Sequence, residues 1–507
     1  MVSSVLSGTV VGVEGVAVSV EVDLIRRLPR VTVVGLPANA VKESSERVRS
    51  AISAAGLEFP KMCVTVNLAP GDLRKEGTGL DLPIALGILA ASGQIPAESL
   101  RSTLFFGELG LDGRLRRVRG ALSLVMLAAE KGVREAVLPE ECAGECAVVP
   151  GVRTLSARSL GEVVRHLRGE ERLEEAVARE WRGAAESVDL SEVRGQEMAR
   201  RALEIAAAGG HNLLMVGPPG VGKTMLASRL PTILPAITFE ESLEVTRVHS
   251  VAGLLADGGG LICKRPFRAP HHTISAAGLL GSASLRPGEV SLAHRGVLFL
   301  DEFPEFPRGL LEQLRAPIED RRVTICRAAG SVVFPASCTL VAAANPCPCG
   351  FLGHELHPCR CSQTMLRRYA ARFSGPMLDR IDLHVDVEPL QSSTLFNRSS
   401  AETSEVVRGR VEAARELQRR RYKGSSTLCN AELGAGNVRE VANASGEALA
   451  LLRRAVETLG FSGRGHDRVL KLARTIADLA GASRVELPHV AEALLFRPDH
   501  NRYSEVC

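Results

Sequence analysis

Apolar residues recur along this chain with two different periods, and each change of period marks an element. Val10-Val11 and the run VAVSVEV (residues 16–22) predict an opening hairpin, and Val31-Thr32-Val33-Val34 predicts a further strand. Residues 40–55 carry helical spacing that Gly56 would close. Short strands and amphipathic helices mix in this way to about residue 168, so residues 1–168 read as an α+β domain. The next stretch, GEERLEEAVAREWRGAAE (residues 169–186), is charged and places Leu173, Val177 and Trp181 at helical spacing, which predicts a helical linker over 169–188. Residues 196–208 predict another helix, ended by Gly209-Gly210. Beyond it the runs LLMV (213–216), GVLFL (296–300) and TLVAAA (339–344) are apolar throughout, as strands buried on both faces of a parallel sheet are. They place an α/β core at 189–390 and leave 391–507 as a helical part.

The first of these runs breaks at once into Gly217-Pro218-Pro219-Gly220-Val221-Gly222-Lys223-Thr224, the G-x-x-x-x-G-K-[ST] spacing of a phosphate loop. Its glycines let successive N–H groups turn inward, and the following helix offers its positive end. Lys223 would reach the β- and γ-phosphates of ATP or GTP and Thr224 would ligate Mg²⁺. The second run ends in Asp301-Glu302, where Asp301 is placed to hold Mg²⁺ and Glu302 to polarise the attacking water. The third ends in Asn345, which would position that water. Hydrolysis of the nucleotide, beyond mere binding, is expected.

Composition narrows the setting. At 507 residues the chain is too long for one hydrophobic core, and 45% hydrophobic with 24% charged residues is ordinary globular usage. No apolar run reaches the roughly 18 to 20 residues that a membrane span requires, so no membrane partner is expected. The start, Met1-Val2-Ser3-Ser4, lacks a secretory signal, which predicts a cytoplasmic protein with its twelve cysteines reduced. A net charge of +4 is too small to announce nucleic acid by itself. One Trp and three Tyr leave little material for stacking on bases, so any DNA contact is expected mainly at phosphates.

The motifs also carry two resemblances. Residues 64–89 with Phe106 to Gly113 resemble the proteolytic domain of Lon and its relatives. The catalytic parts are missing: Gly77-Thr78-Gly79-Leu80-Asp81 stands where the serine is expected, and the helix at 121–129 offers no lysine. Ser123 and Thr78 remain, but a hydroxyl without a base is a poor nucleophile, which predicts a structural or oligomer-organising domain. The phosphate loop, the strands ending in Asp-Glu and Asn, and the segments FRAPHHTIS, PGEVSLAHRGVLFLDEFPEF, VAAANPCPCG and LDRIDLHVDV are similar to the ComM/YifB group of magnesium-chelatase-like AAA+ ATPases over nearly the whole chain. That resemblance implies a P-loop AAA+ core with a Lon-like amino-terminal domain and an all-helical carboxy-terminal lid. It further implies a homo-oligomeric ring, most often a hexamer, acting on branched or single-stranded DNA in branch migration during natural transformation. It assigns Arg380 to the neighbouring subunit's ATP site, with Arg372 as runner-up, and makes Arg464, then Arg468, the γ-phosphate sensor of a lid. A metal-insertion motor of the chelatase type and an ATP-driven protease or unfoldase stay open as alternatives.

Three further features bear on partners. Cys347-Pro348-Cys349 and Cys359-Arg360-Cys361 are the makings of a tetrahedral, structural Zn²⁺ site in an insertion at 347–361, with His354 and His357 as substitutes. Residues 321–334 read as a hairpin turning near Ala329-Gly330, whose Arg321, Arg322 and Arg327 are the candidate DNA contacts. His271-His272 reads as a hydrogen-bonded loop pair or a contact to phosphate or a neighbouring subunit, and the basic run at 419–423 as a solvated helix end.

Overall fold

Alternation of side chains along the first two strands sets the amino-terminal core. In the computed structural model Val2–Val11 pairs antiparallel with Glu14–Ile25, and Val18, Val20 and Val22 of the second strand are fully buried on one face. The model describes residues 2–178, 180–181, 188–255, 260–282, 285–327, 330–354, 356–373, 375–389, 401–425, 427–459 and 461–497. The hairpin is longer than its apolar runs suggested, because the paired backbone extends through Ser3, Ser4 and Ser7. It joins a mixed eight-stranded sheet in the order Glu174–Glu175, Arg153–Ala157, Glu135–Pro139, Thr103–Phe105, Val2–Val11, Glu14–Ile25, Cys63–Ala69, Arg30–Val34. The helix Asp81–Ala91, buried at every residue, covers one face together with Ser44–Ala54.

The stretch expected to be a helical linker is extended where it is described. Glu174–Glu175 pairs antiparallel with the edge of Arg153–Ala157, and Glu180–Trp181 pairs parallel with Leu261–Ile262. Leu173 packs against the amino-terminal core while Val177 is 77% exposed, so the helical stripe is not buried as one face and open strand edges take the backbone instead. Residues 182–187 of that expectation lie outside the described residues.

The second sheet is wholly parallel, in the order Phe267–Arg268, Val297–Leu300, Thr339–Ala344, Leu213–Val216, Leu383–Asp386. Its three central strands are buried throughout because both faces are covered, and successive residues serve different cores. Leu213, Met215, Phe299, Val341 and Ala343 face the helices Glu197–Gly209, Lys223–Ile233, Ser404–Arg421 and Gly463–Leu479. Leu214, Leu298, Leu300, Leu340 and Ala342 face Phe303, Phe306, Leu310 and the hairpin Arg322–Arg327/Gly330–Pro335. The carboxy-terminal helices therefore share one continuous core with the sheet. Among the described residues no helix is long and apolar enough to cross a membrane.

The two sheets meet at the turn of the opening hairpin. Val13 is buried in the core beside the second sheet, and Arg247 donates to its carbonyl at 2.8 Å. A Cβ on Gly12 would lie 2.6 Å from Val332 Cγ1, so only glycine lets this turn sit against the 322–335 hairpin.

Candidate functional site

Parallel strands deliver their following loops to one edge of a sheet, and here that edge gathers the phosphate-binding residues. The loop after Leu213–Val216 runs into the helix Lys223–Ile233, with Gly220 and Gly222 at positive φ. Thr224 Oγ1 donates to Asp301 Oδ2 at 2.8 Å, which brings two candidate Mg²⁺ ligands from different strands together. The Lys223 ammonium is buried and donates to the carbonyls of Gly217 and Pro218 at 2.6 and 2.8 Å and to Asn345 Oδ1 at 3.1 Å. Burial lowers its pKa, and the charge of Asp301 partly opposes that. A cation held by three oxygens at the mouth of a loop with open backbone, beside a hydroxyl–carboxylate pair, fits a nucleotide polyphosphate and a divalent ion.

Glu302 takes a left-handed backbone with φ 49°, a strained conformation for a non-glycine residue that turns its side chain away from the strand. Its carboxylate lies 3.1 Å from His272 Nδ1. The rings of His271 and His272 lie tilted at 34° with centroids 4.1 Å apart, and His271 Nδ1 lies 2.9 Å from Thr273 Oγ1. His272, which the sequence reads only as part of a loop pair or of a contact to phosphate or a neighbouring subunit, thus meets Glu302 across 29 intervening residues. Sequence reasoning missed Tyr369, whose hydroxyl donates to the Asn345 carbonyl at 2.9 Å.

The arginines fall elsewhere. Arg380 precedes the strand Leu383–Asp386, which runs parallel to Leu213–Val216, so it stands at the amino edge of the sheet. Four strand residues, about 13 Å, separate that edge from the phosphate loop. Arg380 is buried and pairs with Glu319 at 2.8 Å. Arg468, expected as a sensor in a lid over the γ-phosphate, is at this same edge, with its Nε 3.3 Å from Asp382 Oδ1. Its own helix is packed by Val469, Leu472 and Ala473 into the core under the sheet, and this fixes it away from the loop of its own chain. Arg464, one turn earlier in Gly463–Leu479, is exposed and makes no ion pair among the described residues. Arg372 alone stands on the phosphate-loop side, 2.6 Å from Glu305.

A cavity of about 410 Å³ opens at the amino edge, lined by Arg321, Arg380, Arg468 and Lys471 against Glu319, Asp382 and Glu432. Burial pushes the Asp382 carboxyl up, but the His211 hydrogen bond and the cations Arg468 and Lys471 outweigh it and hold the group well below the usual carboxylate range. The Nη1 of Arg468 is buried with no hydrogen-bond partner among the described residues.

The candidate DNA contacts separate. Arg321 forms an ion pair with Glu432 of the helical part and does not join the hairpin surface. Arg322 is exposed on the outer face with Thr324, while Val323, Ile325, Val332 and Phe334 pack inward. Arg327 ends its strand opposite Gly330; its side chain and Ala328-Ala329 lie outside the described residues. The hairpin expected at 321–334 is present, its apolar face packed on the core and its Val332 set against Gly12.

Cys347, Cys349, Cys359 and Cys361 converge, with all four Sγ atoms within 4.8 Å of one another. The resolved separations of 3.3, 3.6 and 3.7 Å are close to the ~3.8 Å between thiolates on one tetrahedral Zn²⁺ with ~2.3 Å bonds. His354 and His357 instead stack beside Phe351. In the amino-terminal domain Ser123 Oγ is buried and donates to the Val13 carbonyl, and Thr78 Oγ1 donates to the Glu108 carboxylate.

Residues 189–395 match the family described as magnesium chelatase, subunit ChlI; residues 20–142 match subunit ChlI of Mg-chelatase, and 401–497 its C-terminal part. The chain is 43% identical to competence protein ComM of Haemophilus influenzae over 97% of both chains. It is 42% identical to YifB of Escherichia coli, covering 96% of this chain and 95% of that one. An uncharacterized protein of Mycobacterium tuberculosis is 43% identical over 96% of both. Likeness of this extent, running through both sheets and the helical part, leaves one assignment: the protein belongs to the ComM/YifB family of magnesium-chelatase-like AAA+ ATPases.

Proposed function

We propose that the chain is the subunit of an ATP-driven ring motor that moves branched DNA. The observation that carries the ring is the opposition of two edges: Lys223, Thr224, Asp301 and Asn345 stand at one end of the sheet, Arg380 and Arg468 at the other. An arginine at the amino edge has no phosphate of its own chain to meet, so its target lies on an adjacent subunit. Lys223 and the loop N–H groups bind the β- and γ-phosphates. Asn345 orients the attacking water and Glu302 takes its proton. Arg380 of the next subunit, released from Glu319, meets the charge that develops on the transferring phosphoryl group. Thr224 and Asp301 would hold a Mg²⁺ ion, which when bound would neutralise phosphate charge. In the cysteine insertion the four thiolates bind one structural zinc ion.

The DNA reading rests on the competence name of the Haemophilus relative and on Arg322, exposed on a hairpin that leads into the strand ending at Asn345. Phosphate contacts there would be independent of base sequence and sensitive to salt. The test is ATPase activity and four-way-junction migration at low salt. Stimulation by branched DNA above linear duplex is expected, and Arg322→Ala should lose that stimulation with basal hydrolysis kept. A parent protein that neither binds DNA nor responds to it would move the reading to a chelatase-type motor. For the ring, mixing Arg380→Ala with Lys223→Ala subunits should restore activity that neither has alone; no restoration would defeat the in-trans role.

A further inference from the structure

The cysteine insertion is joined to the nucleotide site at both of its ends. It leaves the sheet directly from Asn345, whose side chain accepts from Lys223, and it returns through the helix Gln363–Ala370, whose Tyr369 hydroxyl closes the loop by donating to the Asn345 carbonyl. Ser362, the residue after Cys361, caps that helix by accepting from the Met365 N–H. Between the two cysteine pairs Gly350 turns with φ 82° and donates to the Cys347 carbonyl at 2.9 Å. A Cβ at Gly350 would lie 2.6 Å from Cδ of Pro219 and 3.2 Å from its Cγ. The turn that presents the thiols is therefore in contact with the phosphate loop itself. Cys347 is fully buried.

We propose that the four-cysteine centre, holding one zinc-class ion, braces the phosphate loop through the Gly350–Pro219 contact and the Asn345–Tyr369 closure, so that metal occupancy sets nucleotide affinity. The inference rests on the zinc and ATP-site readings given above. Binding converts thiols to thiolates and gives their protons to solvent, with no change of oxidation state. Without the ion the thiols lose their common centre, and residues 347–361 no longer hold Gly350 against Pro219. The far domain has no part in this contact, so its fold should not change.

The experiment uses the full chain. Zinc is counted by elemental analysis, then displaced with an organomercurial in the presence of chelator. The mercurial is removed with excess thiol, and a fluorescent ADP is titrated before and after with far-ultraviolet circular dichroism as the check on fold. The expected result is one zinc per chain, at least a tenfold loss of ADP affinity on stripping with little change in dichroism, and recovery on adding Zn²⁺. Gly350→Ala should retain zinc and lose affinity to a similar degree. Gly353→Ala, which has the same left-handed backbone (φ 77°) but open space at its Cβ, should lose neither. No zinc in the purified chain and none taken up on addition would overturn the metal reading. Zinc that can be removed with unchanged ADP affinity would overturn the brace while leaving the metal reading intact. If Lys223→Ala binds the probe as well as the parent does, the nucleotide-site reading is at fault.

Discussion

The two edges of the five-stranded sheet are built in opposite ways. At the carboxyl edge, Asp301 and Asn345 come from the residue that follows a strand, Lys223 and Thr224 from the start of the helix after the next loop, and strands held in register by backbone bonds bring Thr224 to Asp301 and Lys223 to Asn345. At the amino edge, the groups come from the start of the last strand, from the helix Gly463–Leu479 and from the segment before the 322–335 hairpin, and charge pairs hold them: Arg380 with Glu319, Arg468 with Asp382, Arg321 with Glu432. The first edge gathers the groups proposed to cradle phosphate. The second is a set of cations restrained by acids.

The sharpest break in this comparison is Arg380→Ala. If the amino edge serves a neighbour's phosphate, turnover should fall by about 10³- to 10⁵-fold, the worth of an arginine of this kind, while fluorescent-ADP affinity stays within a few-fold. Equal losses of binding and turnover would return Arg380 to a structural role. Next comes Glu302→Gln, expected to cut single-turnover hydrolysis by about 10²- to 10⁴-fold with ATP still bound, the range for loss of a general base. Unchanged turnover would remove Glu302 from the chemistry.

His272→Ala sharpens the carboxyl edge. It frees the Glu302 carboxylate from a partner at 3.1 Å, and basal turnover should rise about fivefold or less, the reach of a partly exposed ion pair worth up to ~1 kcal/mol. A large fall would mean that His272 positions the base for reaction. The smallest effect is expected for the stability of Asp382→Asn. The Asp382 carboxyl titrates well below its unfolded value, so its contribution is present above about pH 4, the ordinary aspartate range, and is lost as pH falls through the folded value. The stability gap between parent and Asp382→Asn, from denaturant midpoints, should therefore shrink between about pH 5 and pH 3. A gap that stays constant over that range would mean that Asp382 contributes by shape alone.

Legibility followed the same division. The candidate phosphate-binding groups could be named because each lies at or just beyond the end of an apolar run, and a parallel sheet brings all such ends to one edge however far apart they are in the chain; the cysteine cluster could be named from two short spacings within 347–361. The helix expected over 169–188 failed for a different reason. Leu173, Val177 and Trp181 have helical spacing, but spacing says nothing of whether a surface exists to receive the stripe, and the edges of Arg153–Ala157 and Leu261–Ile262 were available to take the backbone. Arg468 shared a helix face with Arg464 as expected, yet the side of the sheet on which that face lies depends on how Gly463–Leu479 packs with Ser404–Arg421 and Glu197–Gly209.

By itself the sequence determined the phosphate loop, the acids and amide that face it, the two classes of sheet and the four-cysteine insertion. These depend on local periods and on strand ends, which neighbouring residues decide. Only the tertiary structure decided that Arg380 and Arg468 share the edge remote from the loop, that Glu302 is held by His272, that the hairpin rests on Gly12, and that Gly350 presses on Pro219. Each of these pairings joins residues about 30 to 320 positions apart. Among so many possible partners, burial and charge choose one only after both cores have formed.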